Sequence, residues 1–126
     1  MAEKGAQLYE GKAKKIFEVV GDPGKVIQSY KDDATAFNAQ KRGTIVGKGV
    51  VNAKMTAMIF KMLAAKGVKN HLIELLNDTD LLTHKVQIVP LEVVVRNILA
   101  GSLAKRLGLA EGTVLKQPIY DIHYKE

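Results

Sequence analysis

Residues 50–66 carry the clearest helical period in this chain, and the segments on either side of it are short β-type runs. Val51, Met55, Met58, Ile59, Met62 and Leu63 fall at i, i+4, i+7, i+8, i+11 and i+12, which draws one apolar stripe along a helix. Gly67 follows where a left-handed residue is expected to close it. The methionines of the stripe read as core packing rather than as a cofactor box. Upstream, Ile16, Phe17, Val19 and Val20 form one β-type run, and residues 25–31 form another with Val26, Ile27 and Tyr30. The turn-rich string Gly21-Asp22-Pro23-Gly24 lies between them, so the pair predicts an antiparallel hairpin. The polar, glycine-rich stretch 32–49 predicts an irregular loop. Downstream, 71–76, 81–86 and 89–95 are candidate strands, and the alternation of Ile119, Asp121, Ile122 and Tyr124 predicts a last one.

Composition then removes whole classes of function. The 126 residues are the size of one ordinary domain, and 47% hydrophobic with 25% charged is a globular balance. No apolar run reaches the ~18 residues of a membrane helix. The first residues contain no apolar stretch of the secretory kind. There are no cysteines, so disulfide scaffolds, thiolate metal sites and thiol catalysis are excluded together. A soluble, cytoplasmic protein with no membrane partner is expected. The formal charge is +6 and uneven. Residues 1–63 hold 11 basic and 6 acidic side chains, against 8 and 7 in residues 64–126. A solvated basic surface, a nucleic acid or an anionic small ligand would each account for that excess. Aromatic residues are only 6%, with no Trp, so the stacking platform of a nucleic-acid binder is missing. A phosphorylated small molecule fits better, and no nucleic acid is expected as a partner.

Three stretches can carry chemistry. Gly11-Lys12-Ala13-Lys14-Lys15 can lay backbone N–H groups and ammonium charges along a polyphosphate, although lysine clusters are more often solvated faces. Gly43 to Gly49 invites comparison with a phosphate-binding P-loop. Its glycines are one residue too close, and Gly49 stands where the magnesium-binding hydroxyl belongs, so that reading fails. Arg96-Asn97, followed by Ala100-Gly101-Ser102 and a short helix 103–107 closed by Gly108, places an arginine beside a helix N-terminus with Ser102 as its N-cap. Unpaired N–H donors, a forked guanidinium and a hydroxyl suit a phosphate, while a structural cap beside a surface arginine explains the same residues. Glu92 sits in the nearly all-apolar run around 89–95, which should lie centrally in a sheet. A charge there needs a metal or polar partner unless it points to solvent at the strand end. His71, His84 and His123 have no metal-ligand spacing and read as surface or packing residues.

The stretches LYEGKAKKIF, YKDDATAFNAQKRGTIVGKGVVN, LNDTDLL, VPLEVVVRNILAGSLAKRLG and YDIHYK resemble, in order and across the whole chain, the phosphoribosylaminoimidazole-succinocarboxamide synthase (SAICAR synthetase) family of purine biosynthesis. The resemblance implies an α+β fold of that type, distantly like ATP-grasp and kinase lobes. It implies an antiparallel ATP-binding small lobe over 1–88, with a packed helix, and the start of a second, substrate-binding lobe over 89–126. It also implies a ligase that uses ATP and Mg2+ to phosphorylate the carboxylate of carboxyaminoimidazole ribonucleotide. The amine of L-aspartate then displaces phosphate, giving SAICAR. By position, Gly11, Lys12, Ala13 and Lys14 match the family's ATP loop, with Lys14 best placed for phosphates. Ile88, Val89 and Pro90 match the adenine hinge. Glu92 matches an acidic position near the substrate carboxylate and the metal. Arg96, Gly101 and Ser102 match the 5′-phosphate pocket, and Lys125 a lysine of the nucleotide cleft. Asp33, Thr35 and Asn38 fall in a matching loop. Ala53 and His84 depart from frequent family residues without removing a ligand. Family members are roughly twice as long, so this chain is expected to be the N-terminal half. The family's later magnesium-binding acidic segment and a second phosphate-gripping arginine are then expected beyond residue 126. Such a half could retain only nucleotide binding or assembly, and the exposed apolar strands expected at its end point to a homo-oligomer.

Overall fold

The computed structural model describes residues 1–36 and 40–125, so Asn38 lies outside the described residues. The chain forms two compact units, Met1–Val86 and Gln87–Glu126.

The first unit is built on β1 (Lys4–Glu10), β2 (Lys14–Val19) and β3 (Asp22–Tyr30), a short hairpin β4 (Asp33–Ala36) and β5 (Lys41–Thr44), the helix α1 (Lys48–Ala65), then β6 (Leu72–Leu75) and β7 (Asp80–His84). Five of these strands make one sheet in the order β1-β2-β3-β7-β6, with every neighbouring pair antiparallel. The expected hairpin is β2–β3. It reverses at Val20 and Gly21, and its pairing jumps from Glu18↔Val26 to Val19↔Asp22, which leaves residues 23–25 as a bulge. Stretch 32–49 is more regular than its composition suggests. It contains the β4–β5 hairpin, paired from Asp33↔Thr44 to Ala36↔Lys41.

Strand alternation gives the sheet two different faces. Val19, Ile27 and Leu82 cluster on one, with Ala2, Phe17 and Leu76 packed against them. On the other, Leu81, Tyr30, Leu72 and Leu75 meet Ala53 and Ala57 of α1. The helix is where it was expected, but its phase is not. Gly49, Ala53 and Ala57 are its buried residues, while the stripe from Val51 through Met55, Met58, Ile59 and Met62 to Leu63 lies exposed on roughly the opposite side. The core-packing reading of the methionines is therefore corrected. The reason is close approach: a Cβ on Gly49 would stand 3.0 Å from the Tyr30 carbonyl oxygen, and only a row of small residues lets a helix lie that near a strand.

Both ends of α1 are closed by chain groups. Asp32 accepts from the Gly47 and Gly49 amides at 3.1 and 2.7 Å, so its carboxylate fills the N-terminal donors that a P-loop would turn toward phosphate. At the C-terminus the Val68 and Gly67 amides donate to the Leu63 and Ala64 carbonyls at 2.9 and 3.0 Å, a Schellman closure with Gly67 in the left-handed region.

The second unit is a two-stranded antiparallel ribbon of β8 (Leu91–Ile98) and β9 (Val114–Tyr124), with the short helix α2 (Gly101–Leu107) between them. Leu99, Leu103 and Ala104 form its core, backed by Leu115 and Ile119. The expectation that 89–95 runs centrally in a sheet is corrected, because among the described residues β8 pairs with β9 alone. Leu91, Val93 and Val95 share one face with Tyr124, Ile122 and Tyr120 opposite them, and all six side chains are exposed. The N-cap of α2 is Ala100, in extended conformation and without a side-chain cap bond. Ser102 is thus the second helical residue, not the cap. Gly101 starts the helix at φ +59°, a backbone angle that a side chain would strain.

Candidate functional site

The first group of functional side chains surrounds Lys14. Alternation along β2 puts Phe17 and Val19 on one face and Lys14 on the face that α1 covers. Lys14 Nζ donates to Gln28 Oε1 at 3.0 Å and stands 5.4 Å from the centre of the Tyr30 ring. An ammonium only donates, so the Gln28 oxygen must face it and the amide nitrogen must point away. That nitrogen donates to Thr83 Oγ1 at 3.1 Å and meets His71 Nε2 at 3.0 Å. His71 Nε2 therefore accepts, and the ring is neutral with its proton on Nδ1. Partial burial, the Lys14 charge and the His84 charge all lower the His71 pKa below its ordinary 6.5, in agreement with that tautomer. His71 also packs edge-on to Phe60, the packing role expected of it. Lys14 is thus a half-buried cation held by a neutral amide and an aromatic face. No carboxylate pairs with it among the described residues. Its charge is left available to an anion.

A separate open cleft of about 830 Å³ lies between the β1–β2 turn and the β4–β5 hairpin. Gly11 and Lys12 line it, together with Lys31, Asp33, Thr35 and Arg42. The Gly11 amide donates to the Lys14 carbonyl at 2.9 Å, and the Lys31 amide donates to the Ala13 carbonyl at 2.9 Å, which folds the turn against the end of β3. Lys31 Nζ bridges Glu10 at 2.9 Å and Asp33 at 3.0 Å. The hydrogen bond to Glu10 and then that to Asp33 raise the Lys31 pKa, and the bonds from Lys31 hold both carboxyls below the usual carboxylate range. Ala13 and Lys14 do not line the cleft.

The polar face of the β8–β9 ribbon carries the remaining residues. Glu92, Arg96, Asp121 and His123 share it by strand alternation. Asp121 Oδ2 accepts from Arg96 Nε at 3.2 Å, Arg106 Nη2 at 2.9 Å and His123 Nε2 at 3.0 Å. Partial desolvation opposes ionisation of Asp121, but the hydrogen bonds from Arg106 and His123 outweigh it and keep its pKa low. Glu92 is exposed, and no group of three His, Cys, Asp or Glu able to hold a metal exists among the described residues. Ile88 lies exposed in segment 85–89, which has no regular secondary structure. The Lys125 amide donates to the Pro90 carbonyl at 3.0 Å, which ties the last residues beside that segment. Gly101 and Ser102 are exposed at the start of α2.

The structure therefore gathers Gly11, Lys12, Asp33 and Thr35 around one cleft, and sets Arg96 and Glu92 on one ribbon face. Sequence reasoning missed Gln28, Lys31, Arg42, Arg106 and Asp121. The alternation that put Asp121 among Ile119, Ile122 and Tyr124 was visible, but its strand partner was not. No helix among the described residues is long and apolar enough to cross a membrane.

The chain matches the SAICAR synthetase family over residues 7–126. It is 54% identical over 124 residues to the phosphoribosylaminoimidazole-succinocarboxamide synthase of Desulfitobacterium hafniense strain Y51, covering 98% of this chain and 52% of that one. The enzyme of the same name from Clostridium botulinum strain Hall is 58% identical over 123 residues, with the same coverage. The crystal structure of the Ehrlichia chaffeensis synthase superposes with a TM-score of 0.90 at 45% identity, covering 96% of this chain and 51% of its own. A SAICAR synthetase in complex with ADP gives 0.87 at 47%, covering 94% and 50%. The Saccharomyces cerevisiae SAICAR synthase complexed with SAICAR gives 0.80 at 25%, covering 96% and 52%. The chain spans about half the length of the curated relatives it matches. Its α+β fold, with an antiparallel sheet and two helices, and its match from residue 7 onward place it in one family: this chain belongs to the SAICAR synthetases.

Proposed function

We propose that this chain supplies the ATP lobe and part of the ribonucleotide site of an ATP-dependent ligase of purine biosynthesis. The reaction joins the amine of L-aspartate to the carboxylate of carboxyaminoimidazole ribonucleotide through an acyl phosphate, and yields SAICAR, ADP and phosphate. The observation that carries this reading is Lys14, a half-buried ammonium held by the Gln28 amide and the Tyr30 ring, in the strand that follows the glycine turn. The relative solved with ADP supports nucleotide as the anion.

In this reading Met1–Val86 is the ATP-binding lobe and the unit from Gln87 begins the substrate-binding lobe. Lys14 draws charge from the transferring phosphoryl oxygens, and the amides of Gly11, Lys12 and Ala13 orient the polyphosphate. Ile88 contacts adenine through backbone atoms, and Lys125 lies in the nucleotide cleft. Arg96, Gly101 and Ser102 hold the 5′-phosphate, and Glu92 faces the reacting carboxylate. The work of these residues is placement and charge neutralisation, which together supply most of the rate in phosphoryl transfer. Magnesium does not fit the described residues as they stand. Glu92 belongs to no group of three His, Cys, Asp or Glu able to hold an ion among the described residues, so no step is assigned to it. A homo-oligomer in the cytoplasm is part of the same reading.

The test is ATP- and aspartate-dependent amide formation by the full-length gene product, with Lys14→Ala and Arg96→Ala variants. Unchanged turnover in both variants sinks the assignment. The half-length match favours one second reading, in which these 126 residues alone bind nucleotide without turnover. Calorimetry with ATP on the 126-residue chain separates the two.

A further inference from the structure

Gln28 is 7% exposed and Thr83 0%, and every buried side-chain nitrogen and oxygen among the described residues has a hydrogen-bond partner. The Gln28 amide meets that requirement in one orientation. Its oxygen accepts from Lys14 Nζ at 3.0 Å, and its nitrogen donates to Thr83 Oγ1 at 3.1 Å and to His71 Nε2 at 3.0 Å. We infer that Gln28 is the positioning residue for Lys14, and that the protonation of His71 decides which end of the Gln28 amide Lys14 meets. This rests on the ligase reading above only for the anion that Lys14 serves, the polyphosphate of ATP.

The sheet itself lines these groups up. Lys14 is on β2, Gln28 on β3, Thr83 on β7 and His71 immediately before β6, and the strands lie in the order β2-β3-β7-β6. Lys14 can only donate, so it draws the amide oxygen toward itself. Thr83 suits either orientation, because a hydroxyl donates or accepts. His71 does not. Neutral and protonated on Nδ1, its Nε2 accepts from the amide, but in the imidazolium both ring nitrogens donate. An N–H would then face the Gln28 NH2 across 3.0 Å. Turning the amide over relieves that clash. The oxygen accepts from His71, Thr83 becomes the donor, and the NH2 faces Lys14. The ammonium loses its acceptor, keeps only the Tyr30 ring 5.4 Å away, and leaves its place.

The charged and titratable groups that act on His71 are Lys14 from β2 and His84 from the end of β7, while α1 meets it with the Phe60 ring. Burial and then those two charges favour the neutral ring, which is the form that keeps Lys14 in place. The sign of the effect separates this relay from plain attraction. A positive charge added near an anion site tightens anion binding, whereas turning the amide away from Lys14 loosens it.

The test is the KM for ATP of the full-length gene product from about pH 8 to about pH 5, wild type against His71→Gln. The new side-chain oxygen can accept from Gln28 and does not titrate, and the ratio of the two proteins cancels the titration of the nucleotide itself. Wild type should lose about tenfold relative to His71→Gln as the pH falls, with the ribonucleotide KM unmoved. A constant ratio, or a wild type that gains on the variant, overturns the relay. Gln28→Leu should raise the KM for ATP about tenfold at the upper pH and flatten its pH dependence to that of His71→Gln. An unchanged KM in Gln28→Leu defeats the positioning role. Gln28→Glu replaces the donor at His71 with a carboxylate oxygen, so the His71 midpoint should rise above 6.5 by NMR. A midpoint that stays put shows that the two side chains do not communicate, and the relay fails. NMR of the wild-type protein needs neither variant nor nucleotide. The Gln28 side-chain amide and Lys14 Nζ resonances should titrate with the His71 midpoint, and resonances that ignore it overturn the relay whatever the kinetics show. Coupled titration in a protein that forms no amide product leaves the relay standing and defeats the ligase reading. Amide formation with uncoupled resonances does the reverse.

Discussion

The two units hold their cations by opposite means. In the unit of residues 1–86, Lys14 rests on an amide oxygen and an aromatic face, with a five-stranded sheet behind it and a helix over that sheet. In the unit of residues 87–126, Arg96 is tied to a carboxylate on a two-stranded ribbon whose apolar face is bare. A neutral cradle keeps the whole charge available to a ligand but needs a packed surrounding to stop the side chain from swinging. A carboxylate anchor fixes direction without that surrounding, at the expense of part of the charge. The first arrangement suits a site set in a layered lobe. The second suits a ribbon, since an isolated pair of strands supports little packing of its own.

Exchanging the cations probes the difference most strongly. Lys14→Ala should lower kcat/KM for ATP about 100-fold in the full-length gene product, with the ribonucleotide KM nearly unmoved, and Arg96→Ala should do the reverse. Steady-state kinetics with each substrate varied in turn checks this, and equal losses for both substrates in both variants would erase the division of labour. Next in size is packing. Ala57→Leu should cost about 2 kcal/mol by urea unfolding, because the small-residue row of α1 has no room. Met58→Ser and Val93→Thr should stay within about 0.5 kcal/mol. A large loss at Met58 would mean that the stripe is covered in solution. Hydrogen exchange should then rank the units, with the amides of Ile27 and Leu82 at least about tenfold slower than those of Val93 and Tyr120.

The smallest effect concerns His71. Its pKa in the fold lies below 6.5, so the unfolded chain takes up a proton first as the pH falls. Stability should therefore decline as the pH drops below 6.5 toward the folded value, and hold above it. NMR titration of the ring should show the lowered midpoint and a proton on Nδ1. A midpoint at or above 6.5 would break the neutral cradle around Lys14.

Much of this was legible in the chain. The β-type runs in residues 16–20 and 25–31, with turn residues between them, predict the β2–β3 pair, and the period over 50–66 predicts α1 to within two residues at its start. The lysines after Gly11 and the pair Arg96 and Glu92 stood out by charge in apolar or turn-forming runs. The partners of those charges did not. Gln28 and Asp121 carry no signal until β3 is laid against β7 and β9 against β8.

By itself, the sequence determined the strand and helix periods, the absence of cysteine chemistry, the basic excess and the order of the family motifs. Those properties are local or additive, so they survive without a fold. The tertiary structure alone decided which side of α1 is buried, that Asp32 closes the helix N-terminus, and that one carboxylate gathers Arg96 and Arg106. Helix phase was misread because hydrophobicity ranks Met above Ala. A helix pressed against a strand is chosen by the distance between backbones, and at 3.0 Å from the Tyr30 carbonyl to the would-be Cβ of Gly49 only the small residues fit.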